Sequence, residues 1–216
     1  MATEYHALQV RLNGRIIFPM FKRSIPLLLL AAVLLFPQAA KADWYWFKAS
    51  AHDKIESARI ITQPTRSQRF FGRLETRKDV DYFTLTLDQG EEFRANLFVP
   101  KADEEFRPAL VFFGPGIKTA GGDPEIAIGD GNGSVMVRNT NEEREARFED
   151  VLLTSFYGDT EISFTAEKRG TYGLAIKSPD GERGRYMLRV GLKDEWKWSE
   201  LPTRFWGATK AIFRLY

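Results

Sequence analysis

Asp79-Val80-Asp81-Tyr82-Phe83-Thr84-Leu85-Thr86-Leu87 is the stretch on which the fold turns. Phe83, Leu85 and Leu87 fall on one side of an extended chain, and Tyr82, Thr84 and Thr86 on the other. That is the period of two expected of a half-buried strand. Gln89-Gly90 turns the chain, and Glu92 to Val99 then alternates Phe93, Ala95, Leu97 and Val99 against Arg94 and Asn96. The spacing predicts that 79–87 and 92–99 pair as a hairpin.

The same rhythm extends outward. Ala109 to Phe113 is a continuous apolar run, as in a strand buried on both faces. Glu161 to Ala166 turns Ile162, Phe164 and Ala166 inward. After Gly170, Tyr172, Leu174 and Ile176 alternate; after Pro179-Asp180-Gly181, so do Tyr186, Leu188 and Val190. No helical period interrupts Asp79 to Val190, so the expectation is an all-β chain folded as an antiparallel β-sandwich. Gly114 to Gly133 reads as a long Gly-, Asp- and Pro-rich loop.

Ahead of this lies the one long apolar run, Ser24 to Phe36, with Lys22 and Arg23 before it and Ala40-Lys41-Ala42 after it. A positive start, a short apolar core and a small-x-small end make a signal peptide, with Ala40 and Ala42 as the residues that signal peptidase recognises. The core is short of the roughly 20 residues that a spanning helix needs. No cysteine follows it, which excludes a lipid-anchored form. Met20 opens a complete leader by itself and is the expected true start. The expected organisation is a signal peptide at 1–42, a β-sandwich domain at 43–192 and an aromatic amphipathic tail at 193–216, in a periplasmic or extracellular protein.

Composition narrows the function. The leader carries five basic residues and one acidic, so the full chain's 31 basic and 29 acidic residues leave 26 and 28 in the mature part. A net charge of −2 in place of +2 speaks against a nucleic-acid partner. There is no cysteine, and the mature part keeps a single histidine, His52. Triad and zinc chemistry would both have to rest on that residue, which disfavours them. Carboxylate chemistry and binding through oxygen ligands survive.

Several segments resemble the bacterial pre-peptidase C-terminal (PPC) domain and its β-sandwich relatives. They are Arg73-Leu74, Asp79 to Leu85 and Gly90-Glu91, then Gly170-Thr171-Tyr172-Gly173-Leu174-Ala175-Ile176 and Gly184-Arg185-Tyr186-Met187-Leu188. The likeness spans roughly residues 54–192. It implies a jelly-roll-like, usually non-catalytic module of secreted proteins, often attached to a hydrolase, although this chain shows no catalytic partner domain. Some members of the wider fold bind calcium through early acidic residues, which makes Asp79 and Asp81 candidates. The plainer alternative has Asp79 capping the turn before the strand and Asp81 facing water.

No other cofactor is expected. Gly129-Asp130-Gly131-Asn132-Gly133 lacks the acidic spacing of a calcium loop and reads as a turn into Ser134 to Val137. Gly158-Asp159-Thr160-Glu161 contains two carboxylates but reads as turn chemistry before a strand. In the tail, Leu201, Phe205, Ala208, Ile212 and Phe213 fall near helical spacing, with Arg204, Lys210 and Arg214 among them. Such a helix can lie in a membrane interface or on a partner through Trp196, Trp198, Phe205 and Trp206, or fold back onto the core.

The function expected is an exported, non-catalytic binding or structural module. It would act on an envelope component, a polysaccharide or another exported protein. The alternatives are a peripheral membrane or envelope-complex subunit docked by its tail, and a carboxylate-only hydrolase.

Overall fold

The computed structural model describes residues 53–119, 126, 132–141, 143–150, 152–191, 193, 206 and 209, together with the backbone of 44–47. The expected leader with Met20, Ala40 and Ala42, and His52, lie outside the described residues. The strands among them are β1 (Trp44–Phe47), β2 (Arg59–Ile61), β3 (Gln68–Leu74), β4 (Val80–Leu87), β5 (Glu92–Pro100), β6 (Ala109–Gly114), β7 (Gly133–Arg138), β8 (Ala146–Glu149), β9 (Thr154–Thr165), β10 (Gly170–Lys177) and β11 (Gly184–Val190).

They form two sheets packed as a sandwich. Sheet A has the order β1-β3-β11-β5-β9-β8, and sheet B the order β2-β4-β10-β6-β7. The expected all-β sandwich is what the chain forms. Pairing is antiparallel except at one edge of each sheet, where β1 runs parallel to β3 and β2 parallel to β4.

The expected hairpin between 79–87 and 92–99 does not form. β4 pairs with β10 and β2 in sheet B, whereas β5 pairs with β11 and β9 in sheet A. The turn between them arches from one sheet to the other. Gly90 takes a left-handed φ of 82°, and its N–H donates to the Ala166 carbonyl at 2.8 Å. Ala166 N–H returns a bond to the Glu91 carbonyl at 3.0 Å, which ties the arch to the end of β9. Alternation is blind to this difference, because strands in a hairpin and strands facing each other across a core both turn one face inward. Only β6–β7 and β8–β9 join neighbours within a sheet; the other connections change sheets.

Between the sheets, Phe83, Leu85 and Leu87 meet Phe93, Ala95, Leu97 and Val99, as alternation predicts. At the centre, the Phe112 ring stacks on Phe93 at 5.4 Å and on Tyr172 at 5.6 Å, and Phe164 meets it edge-on at 5.1 Å. β6 is buried throughout: Leu110 and Phe112 face the core, while Val111 and Phe113 lie under Ile126 on the outer side of sheet B.

One end of this interior is polar. Asp81 shares the inward parity of Phe83 and Leu85 and is 1% exposed, so the expectation that it faces water is overturned. Its Oδ2 accepts a 2.5 Å bond from the Tyr186 hydroxyl, which crosses from sheet A to sheet B. Gly72 lies opposite Tyr186 in the ladder, and a Cβ there would sit 2.2 Å from the ring's Cζ. Glycine is what lets the phenol lie flat across β3. Arg59 completes this end, its guanidinium 5.5 Å from the Phe70 ring centroid.

Candidate functional site

The structure disperses the expected site residues. Asp79 caps its turn: Oδ2 accepts from the Glu75 and Thr76 N–H groups at 2.7 and 3.1 Å, and Oδ1 from the Thr76 hydroxyl at 2.6 Å. Asp81 is committed to Tyr186, so the two carboxylates do not converge as a calcium site would require. Among the described residues, no group of three or more His, Cys, Asp or Glu side chains could hold a metal.

Gly158 to Glu161 corrects another expectation, since it lies inside β9 and forms no turn. The β5–β9 register skips from Thr160 to Gly158 opposite Leu97 and Phe98, so Asp159 is the extra residue of a β-bulge. Glu161 is held by Asn96 Nδ2 at 2.7 Å and Arg94 Nε at 3.2 Å.

In the tail, Trp196, Trp198 and Phe205 lie outside the described residues. Trp206 and Thr209 are helical, and Trp206 is 61% exposed. No helix among the described residues is long and apolar enough to cross a membrane.

The side chains that do converge are on the outer face of sheet A. In β3 the outward positions are Arg69, Phe71 and Arg73; in β11 they are Arg185, Met187 and Arg189. Antiparallel pairing sets Arg69 opposite Arg189, Phe71 opposite Met187 and Arg73 opposite Arg185. Two arginine rows therefore flank an apolar row, which Phe98 of β5 extends.

Arginines directly opposite one another repel, and carboxylates from elsewhere offset the charge. Arg185 Nε bonds Asp103 Oδ2 at 2.7 Å, Arg73 pairs with Glu75 at 3.2 Å, and Arg69 pairs with Glu149 at 3.4 Å. Arg189 Nε lies 3.4 Å from the Ser67 hydroxyl.

The Arg69–Glu149 pair reports the shape of the sheet. β3 and β8 are four strands apart, which in a flat sheet is about 19 Å at roughly 4.8 Å per strand. Contact at 3.4 Å requires the far end of sheet A to curl over its own outer face. Leu152, in the turn after β8, packs there with Phe71, Phe156 and Met187. The next residue, Leu153, takes a φ of 53°, a left-handed conformation that costs a non-glycine residue energy. The result is a curved sheet whose outer apolar row is a second small core, with Phe71, Met187 and Arg69 buried beneath the curl.

What this face offers a partner is its exposed guanidinium groups, the Arg73 and Arg94 side chains being 58% and 42% exposed, and they can hold a partner without supplying a nucleophile. The polar end inside the sandwich differs in kind. Burial, then the Asp81 charge, raises the Tyr186 pKa well above that of an ordinary phenol. Burial lowers the Arg59 pKa, and Tyr186 opposes that shift.

Sequence reasoning missed the outer face, although a signal was present. Arg-x-Phe-x-Arg at 69–73 and Arg-x-Met-x-Arg at 185–189 are matching period-two patterns in two strands. What they lacked was the knowledge that β3 and β11 are neighbours.

Against known proteins, no family model matches the chain, and no curated protein matches it in sequence. Solved structures show distant similarity. PliG of Aeromonas hydrophila, a periplasmic lysozyme inhibitor of g-type lysozyme, is 17% identical, with 63% of this chain and 99% of that chain covered and a TM-score of 0.35. The pre-peptidase C-terminal domain of a Bacillus anthracis collagenase is 15% identical over 62% of this chain and 93% of its own, with a TM-score of 0.35. CorA, a surface-associated copper-binding protein of Methylomicrobium album BG8, is 11% identical over 63% and 98%, with a TM-score of 0.38. The resemblance to the PPC domain is thus one of distant structure, with no sequence family behind it.

Proposed function

We propose that this chain is an exported β-sandwich module that binds an envelope component, a polysaccharide or another exported protein and performs no catalysis. The observation that supports this reading is the outer face of sheet A, where the arginines Arg73 of β3 and Arg94 of β5 stand exposed on the same side as a buried apolar row. The carboxylates described around it hold arginines in place, with Glu149 on Arg69, Asp103 on Arg185 and Glu161 on Arg94. That use of acidic residues favours binding over a carboxylate-only hydrolase, which needs two of them facing one groove.

Arg73 and Arg94 are the exposed arginines of this face to test, at 58% and 42% exposure. The protein should co-sediment with washed envelope fragments in a salt-sensitive way, and Arg73→Glu with Arg94→Glu should weaken that binding roughly tenfold, the scale of a lost pair of charge-assisted contacts. Undiminished binding by the folded double variant, or release of soluble products from an envelope polymer, would overturn the reading.

A second reading makes the chain a peripheral membrane or envelope-complex subunit docked by its tail through Trp196, Trp198, Phe205 and Trp206. The exposure of Trp206 on a helical residue favours it. Deleting 196–216 should then release the protein from vesicles while its circular dichroism stays that of a folded sandwich. Loss of the fold on truncation would assign the tail to the core instead.

A further inference from the structure

The two sheets are unequal, six strands against five, and the surplus strand is β8. β6 and β7 of sheet B pack against β9, which leaves β8 beyond the edge of the smaller sheet. Its far side pairs with no described strand. Phe148, in the middle of β8, points to the side that the rest of sheet A buries, yet it is 62% exposed because nothing of sheet B lies opposite. An open strand edge bearing an exposed aromatic is a template for adding another strand.

We propose that this edge is completed by a second copy of the chain, β8 pairing antiparallel with β8 across a two-fold axis at Phe148. The sequence of the strand chooses the partner and the register. Keeping both sandwiches on the same side of a continuous sheet requires the axis to pass through a residue, because directly opposite side chains share a face. An axis at Arg147 sets Arg147 against Arg147 and Glu145 against Glu149. An axis at Glu149 sets Glu149 against Glu149, and an axis at Ala146, although it sets Glu145 against Arg147, puts Glu143 against Glu149 and separates the two Phe148 rings.

An axis at Phe148 instead puts ring beside ring and sets Arg147 of each copy opposite Glu149 of the other. Both kinds of pair stabilise a ladder, and like charges opposite one another destabilise it. Glu149 keeps its contact with Arg69, so the crossing would extend an existing ion pair into the dimer. An isologous contact of this type closes after two copies and cannot propagate into a fibre.

The absence of cysteine makes the test direct. In the full-length protein, Phe148→Cys brings two sulfurs together at the axis, where opposed Cα atoms lie about 4.5–5.5 Å apart, within disulfide range. Mild oxidation should convert it to a covalent dimer at least tenfold faster than Leu153→Cys, a residue 55% exposed in the adjacent turn. The unmodified protein should sediment as a concentration-dependent monomer–dimer equilibrium. Phe148→Asp and Arg147→Glu, both on the exposed edge, should remain folded and abolish that dependence. Equal cross-linking at 148 and 153, or a dimer that survives Phe148→Asp, would overturn the proposal. So would an unmodified protein that stays monomeric across a hundredfold range of concentration.

Discussion

Around Phe112 the two sheets meet through packed rings, whereas at the Arg59 end a hydrogen bond from Tyr186 to Asp81 crosses the same interior. The aromatic centre is only weakly directional: it stabilises mainly by buried area and contact, and other rings of similar volume would serve. The polar end is directional. It stabilises the fold only when one oxygen on sheet A stands 2.5 Å from one oxygen on sheet B, so it specifies how the sheets slide over each other. A half-broken polar contact is worse than none, because it strands a carboxylate in the interior.

The comparison can be broken first at its apolar side. Phe112→Ala removes the ring on which Phe93, Tyr172 and Phe164 converge and should cost about 3–5 kcal/mol of unfolding free energy, read by urea denaturation. A loss under 1 kcal/mol would mean that the neighbouring rings collapse into the space.

Tyr186→Phe changes one oxygen and leaves the packing intact. It should cost about 1.5–3 kcal/mol, the range for a hydrogen bond to a charged acceptor. The same tyrosine gives the polar end an alkaline limit that the aromatic centre lacks. Its folded pKa is raised well above 10, so above pH 10 the unfolded chain loses the proton while the folded chain retains it. The stabilisation is fully present below pH 10 and should fall by up to about 1.4 kcal/mol per pH unit beyond it. Titrating wild type against Tyr186→Phe isolates this term, and parallel profiles would show that Tyr186 ionises as readily folded as unfolded.

Smaller effects belong to the surface. Asp79→Ala removes three hydrogen bonds from the turn entering β4 and should cost about 1 kcal/mol, comparable with a lost helix cap. Arg94→Ala breaks an ion pair in which both partners are substantially exposed and should change stability by less than about 0.5 kcal/mol. A larger loss at Arg94 than at Asp79 would give the outer face of sheet A a structural weight that its exposure does not suggest.

Much of the fold was legible in the chain. The alternation in β4, β5, β10 and β11 marked their inward residues, and the unbroken run in β6 marked a strand covered on both sides. The same alternation placed Asp81 inward with Phe83 and Leu85; reading it by its charge sent it to solvent. The Asp159 bulge was hidden for a related reason, since Gly-Asp-Thr is turn chemistry in isolation and becomes a bulge only against a continuous partner strand.

Local periodicity therefore determined which residues are strands and which side of each is buried, because a pleated chain exposes alternate side chains whatever its neighbours are. Composition, with two histidines and no cysteine in the whole chain, narrows the chemistry. Tertiary structure alone decided that β4 and β5 belong to opposite sheets, that Tyr186 reaches Asp81 across the core, and that Arg69 and Arg189 stand side by side. Those are pairings between segments distant in the chain, and side-chain alternation carries no information about which strand comes next in a sheet.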